Sequence, residues 1–204
     1  MNLDWVILAV GALGVLLVHE LGHLLTARSF GFGVMALSVG LGPEIVGYTD
    51  RSGTRWKLGV LPIGGSCSLF DSLHSLPSEG GARRSFSTSS VLERALIYAA
   101  GPFLNLIVAG IVLGAIICPN GWSALASLDT RLALLIGGFS LFVGLFNLLP
   151  VLPLDGGRLL LIAFEALRGR RVEEREEKYL FQISLSVLAS ATVVSVFCLL
   201  KVIV

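Results

Sequence analysis

Three stretches of this chain, residues 95–118, 132–154 and 179–200, contain no charged side chain, and about 20 residues of apolar helix suffice to cross a bilayer. A fourth stretch, residues 5–27, is uncharged through Val18 and then carries His19, Glu20 and His23. Segments of this kind leave little room for a water-soluble fold. Only 14% of the 204 residues are charged and the mean hydropathy is +0.85, against roughly 25% charged in an ordinary soluble domain. A disordered chain is excluded as well, because it needs few apolar residues and a high net charge. The formal charge of +1 gives no broad attraction to nucleic acid. Cys67, Cys118 and Cys198 lie far apart without a C-x-x-C pair and read as small packing residues. The first stretch lacks the basic leader and the Ala-x-Ala cleavage site of a signal peptide, so it reads as a mature helix. The expected fold is an all-α membrane bundle. Its four transmembrane helices lie near residues 5–27, 95–118, 132–152 and 179–202, within a single domain over 1–204.

Thirteen of the fifteen Lys and Arg residues fall in two stretches, Arg28 to Arg94 and Arg158 to Lys178; Arg131 and Lys201 are the exceptions. The positive-inside rule puts both stretches in the cytosol and both termini outside. Residues 35–70 alternate β-branched residues with glycine around Asp50-Arg-Ser-Gly53, the turn chemistry of a β-hairpin. Strands this rich in Leu, Ile and Val need an apolar neighbour. Non-helical backbone is tolerated at membrane depth only where protein or a water-filled cavity satisfies it. A membrane-associated hairpin beside the helices is therefore expected, with an ordinary cytosolic ribbon as the competing reading. Residues 72–90, with His74, read as a polar flexible loop. Residues 168–178 read as a solvated helix start or connection.

His19-Glu20-Leu21-Gly22-His23 sets two imidazoles at i and i+4 on one helix face, where both can reach one Zn²⁺. Glu20, beside them, is positioned as the base for a metal-activated water. An ionisable group at the centre of an apolar span costs about 2.5–3.5 kcal/mol, and a bound metal removes the need to bury these groups unpaired. The competing reading is a polar helix end at the interface. Asp155 is the single carboxylate bordering the other spans and the candidate third ligand. It follows Pro150 and Pro153, which interrupt helical hydrogen bonding. Helices one and three both run inward, which puts the histidines and Asp155 at similar depth. The competing reading of Asp155 is a helix-stopping Asp-Gly-Gly turn. Asn105 and Asn147 lie within core spans and need partners there, either the substrate backbone or an oxyanion, or interhelical hydrogen bonds. Gly137, Gly138 and Gly144 are expected to serve close helix packing.

Taken in order, these motifs resemble the site-2 protease family of intramembrane zinc metallopeptidases. Its H-E-x-x-H is His19–His23, its L-D-G is Leu154-Asp155-Gly156, and its G-P-x-x-N is Gly101-Pro-Phe-Leu-Asn105. Its G-x-G strand is Gly40-Leu-Gly42, with a return strand at Leu61-Pro-Ile-Gly-Gly65. The resemblance spans nearly the whole chain. It implies one Zn²⁺ per chain and cleavage of a transmembrane protein substrate within the lipid bilayer, typically that of a prokaryotic plasma membrane. The substrate would be a tethered factor already trimmed by another protease, or a signal-peptide remnant. Family position favours substrate-backbone contact for Asn147. Asn105 is a further candidate, and Gly40 and Gly42 would admit a backbone at the hairpin edge. The 119–130 connection is too short for the PDZ domain of many bacterial members, and no nucleotide-binding domain follows the fourth helix, so a minimal catalytic core is expected. The alternative function is a non-proteolytic zinc-binding membrane protein that binds or chaperones a partner; retention of Glu20 and both histidines favours the protease. A metal transporter fits poorly, since the polar groups gather at one end.

Overall fold

The computed structural model describes residues 3–70, 84–117 and 129–203, apart from the side chains of 3–5, 62–63, 174 and 191–203. His74, most of the 72–90 stretch, Cys118, most of the 119–130 connection and the Cys198 side chain lie outside them. The chain forms two compact units, Met1–Phe146 and Asn147–Val204.

The first unit opens with α1, Leu3–Ser29. The helix ends where Gly31 takes φ +79, a left-handed turn that glycine adopts without a Cβ penalty. There the Phe32 N–H donates to the Ala27 carbonyl at 3.0 Å. Two long antiparallel strands follow, β1 (Val34–Thr49) and β2 (Arg55–Leu69), joined by the expected turn at Asp50–Gly53. Their register is not that of a plain ribbon. Ala36 to Val39 pair on one side with residues 55–58 and on the other with residues 65–68. Residues 44–49 pair only with 55–59, which leaves an open edge. The fold-back depends on Gly40, which has φ +84 and lies so close to the returning strand that a Cβ would sit 2.6 Å from the Leu61 carbonyl oxygen. Val34, Leu37 and Val39 in the first half of β1 are buried, whereas Leu41, Ile45, Val46 and Tyr48 in the second half are exposed.

Helix α2 (Val91–Ile117) starts with a capping box. The Glu93 N–H donates to Ser90 Oγ, and the Ser90 N–H donates back to Glu93 Oε2 at 2.8 Å. Ile97, Gly101, Asn105 and Ala109, four apart, form a buried stripe on α2. The apolar core gathers where three elements meet: Leu24 and Ala27 of α1, Leu37 and Val39 of β1, and Ile97 of α2. Helix α3 (Thr130–Asn147) packs through Gly137 against Val112 and Leu113 and through Gly144 against Leu106. A Cβ on Gly138 would meet nothing within 4 Å among the described residues, so the close packing expected there is not seen among them. Among the described residues, three helices are long and apolar enough to cross a membrane: Val6–Ser29, Val91–Ile117 and Thr130–Asn147. They leave Phe103, Ile107, Leu135 and Phe142 exposed, faces that suit lipid and would be an aggregation hazard in water. This is a membrane protein.

The second unit contains α4 (Asp155–Arg168) and α5 (Glu174–Ile203). The third helix stops at Asn147, short of the expected 152, ahead of Pro150 and Pro153. The sequence Asp155-Gly-Gly starts a helix rather than ending one. Gly156 and Gly157 allow this, because they lie directly against the backbone of Leu148, Leu149 and Val151, where no Cβ fits. The fourth expected span falls on α5, which is described beyond Ser190 only as backbone.

A polar clamp joins the hairpin turn to the end of α1. Arg28 donates to Asp50 Oδ2 at 2.7 Å and to Thr54 Oγ1 at 2.9 Å, and the fully buried Thr54 hydroxyl donates to the Val34 carbonyl. Burial pushes the Asp50 carboxyl up, but hydrogen bonds from Arg28, the Thr54 N–H and Trp56 outweigh it and hold the group down at about 2. An unfolded Asp titrates near 3.9, so this carboxylate stabilises the fold above that value and loses its contribution as pH falls toward 2. Pepsin nicking of the hairpin should therefore rise steeply for the wild type, relative to Asp50→Asn, between pH 4 and 2. Parallel curves for the two proteins would contradict the clamp.

Candidate metal centre

His19, Glu20 and His23 occupy the C-terminal half of α1, and all three are buried, at 5%, 5% and 7% exposure. The helical repeat places the two histidines toward α2 and Glu20 toward the hairpin. His23 Nδ1–H donates to the Ile97 carbonyl at 2.7 Å, so Nε2 is the acceptor nitrogen of its ring. His19 Nε2 lies 3.2 Å from His23 Nε2. Two ligand nitrogens on a tetrahedral zinc, each about 2.0–2.1 Å from it, are separated by about 3.3 Å. The pair therefore already has the spacing that one ion requires, and a carbonyl partner on the opposite ring nitrogen is the usual second shell of a ligating histidine.

The imidazoles have room because the helices carry no side chain where they cross. A Cβ on Gly22 would lie 2.6 Å from the Ala100 carbonyl oxygen. A Cβ on Gly101 would fall onto His23 Nε2 and 3.0 Å from His19 Cε1. On the other flank, a Cβ on Gly65 would lie 2.6 Å from Glu20 Oε1 and 2.8 Å from the Ser38 carbonyl oxygen. Beside the histidines and Glu20, α1 approaches α2 closely at Gly22 and Gly101 and approaches β2 closely at Gly65. Burial pushes the nearby Cys67 thiol up to about 12, and the Glu20 charge adds to the shift. We expect Gly101→Ala to reduce metal content sharply although no ligand is changed. Gly110→Ala, at a position with nothing within 4 Å, should match the wild type. Equal metal content in the two variants would contradict this packing.

Asn105 is fully buried, and its amide Nδ2 lies 3.3 Å from His19 Nδ1. This is the interhelical bond weighed above, here made to a candidate ligand. Ser140 of α3 donates to the Asn105 carbonyl at 2.9 Å. Gly40 and Gly42 lie in the hairpin fold-back, where Gly40 admits the chain's own returning strand. In the second unit Asp155 is the first residue of α4, with its carboxylate in the first turn, where the helix dipole favours an anion. Asn147 is the half-buried last residue of α3. Sequence reasoning missed the glycine at each crossing; the available signals were Gly22 inside the H-E-x-x-H and Gly101 beside Pro102.

A family model for peptidase family M50 matches residues 6–131 and 121–191. The chain belongs to peptidase family M50, the family of the site-2 proteases. Among the relatives, a protein of Brucella suis provisionally named a zinc metalloprotease is 44% identical over 104 residues, 46% of this chain and 27% of its own length. Another with that provisional name, from Mesorhizobium japonicum, is 34% identical over 118 residues, 52% of this chain and 32% of its own. Protease RseP of Yersinia pestis is 36% identical over 111 residues, 53% of this chain and 25% of its own. The match thus spans between a quarter and a third of each relative.

Proposed function

We propose that this M50 protein is a zinc-dependent endopeptidase that cuts single-span substrates within the bilayer. The observation that carries the reading is the buried pair of Nε2 atoms 3.2 Å apart, with Glu20 adjacent on the same helix. The relatives' names point to zinc as the metal. His19 and His23 would hold it with Asp155 as third ligand, one ion per chain. Bound zinc would polarise the scissile carbonyl and lower the pKa of water. Glu20 takes a proton from the attacking water and returns it to the leaving amine. A helix hides its carbonyls in its own hydrogen bonds, so the substrate must unwind before attack. The open edge at residues 44–49 and its exposed apolar side chains suit an added substrate strand, with Gly40 and Gly42 beside it. Asn147 is assigned to the substrate backbone. Substrates are tethered factors or signal-peptide remnants. Purified protein incubated with tagged single-span substrates should yield a cut that mass spectrometry maps inside the hydrophobic segment. Cuts confined to the flanking soluble residues would overturn the reading.

The same proposal makes α5 a fourth span and sets both termini outside a prokaryotic plasma membrane. In a background without the native cysteines, Arg170→Cys should react with an impermeant maleimide only from the cytosolic side, and Arg131→Cys only from outside. The reverse pattern would invert the topology.

A further inference from the structure

We propose that the cavity between α4 and α5 holds the phosphate headgroup of an anionic phospholipid of the cytosolic leaflet, gripped by Arg168 and Arg175. The inference rests on the reading of α5 as the fourth span, starting at the cytosolic face.

The second unit builds this cavity from its own chain. Helix α4 ends at Gly169, where φ of +70 turns the chain and the N–H donates to the Glu165 carbonyl at 2.9 Å. Glu165 is buried, and its Oε1 accepts the Val172 N–H at 2.8 Å, which fixes the connection to α5. The cavity beside this connection has a volume of about 420 Å³, the size of a small-molecule site. Arg168, Arg175 and Glu176 line it next to the connection. One turn away along either helix the wall becomes apolar, with Phe164 on α4 and Tyr179 and Leu180 on α5. A lining divided in this way matches an amphiphile.

The charges favour an anionic one. Glu176 Oε1 is shared between Arg170 at 3.2 Å and Arg168 at 3.7 Å, and Glu173 lies 3.7 Å from Arg170. Arg175 forms no ion pair among the described residues. Two guanidiniums of the lining thus face one carboxylate that is already shared with a third. The Arg168 guanidinium lies over the Phe164 ring, 5.0 Å from its centroid, at the boundary between the charged and apolar parts. The planar fork of arginine suits phosphate oxygens. Leu160, Phe164 and Leu167 form an exposed stripe on one face of α4, suited to acyl chains. Basic residues where a span meets the cytosol attract anionic lipid. A soluble phosphate compound would leave the apolar half of the cavity and this stripe unused.

The test is a titration of the full chain in detergent with phosphatidylglycerol, the bound lipid being counted by native mass spectrometry. Arg168→Gln and Arg175→Gln should each weaken binding by about 5-fold, and together by about 30-fold, the scale for basic residues at a membrane surface. Arg175→Gln breaks no ion pair among the described residues, so folding is not at stake in it. Arg51→Gln removes the same charge from the hairpin turn and should bind as the wild type does. Val172→Phe fills the cavity without a change of charge and should weaken binding as much as either single variant. Glycerol phosphate, the anion without the chains, should not compete at equal concentration. Wild-type binding in the double variant would overturn the inference, as would an equal loss in Arg51→Gln, the mark of diffuse charge. Competition by glycerol phosphate would show a site for a soluble anion, and unchanged binding in Val172→Phe would put the lipid outside the cavity; either result sinks the proposal. Labelling of Arg170→Cys keeps the two readings apart. Cytosolic labelling with wild-type lipid binding in the double variant removes this inference alone, whereas labelling from outside removes the topology on which it rests.

Discussion

Glu20→Gln should leave zinc content and helix content at wild-type levels while cleavage of a single-span substrate falls by about 10²–10⁴-fold, the range of general acid–base contributions. The substitution preserves length and hydrogen-bonding capacity and removes only basicity. Glu20 lies against Gly65 on the hairpin flank. The histidines face Ile97 and Asn105 on the other, so the change need not disturb them. Substrate should still bind and should co-purify with the variant. A Glu20→Gln protein that cuts at a comparable rate would remove Glu20 from the mechanism.

The second large effect is on the metal. His23→Ala and Asp155→Ala should each lose most of the bound zinc, exceeding the ~10–100-fold affinity cost of a second-shell partner. His23→Ala removes one of the two convergent Nε2 atoms. Asp155→Ala tests the part of the ligand set assigned from sequence order and the L-D-G motif. Wild-type zinc content in Asp155→Ala, alongside loss in His23→Ala, would leave the histidine pair standing and require another third ligand.

Much of this was legible in the sequence because its signals are local. Two histidines four apart on an apolar stretch share a helix face whatever surrounds them, and Asp50-Arg-Ser-Gly53 makes its turn from its own backbone. What escaped depends on residues distant in the chain. Asp155-Gly-Gly reads as a helix stop by propensity, yet Gly156 and Gly157 allow the segment from Leu148 to Val151 to fold against the start of α4. Asn105 could be read as an interhelical bond, but nothing short of the α1–α2 crossing identifies His19 as its partner, 86 positions away. The Arg28–Asp50–Thr54 clamp likewise joins a helix end to a turn through charges that read singly as solvated. The double pairing of Ala36 to Val39 follows from the glycine fold-back at Gly40, where alternation alone suggests a simple ribbon.

Metal dependence of cleavage tests the central claim most directly. Wild-type protein in detergent, given a tagged single-span substrate, should lose activity on treatment with a zinc chelator. It should regain activity on addition of about one equivalent of Zn²⁺ per chain, while Glu20→Gln stays inactive throughout. Cleavage that persists in the chelated, metal-free protein would contradict the account.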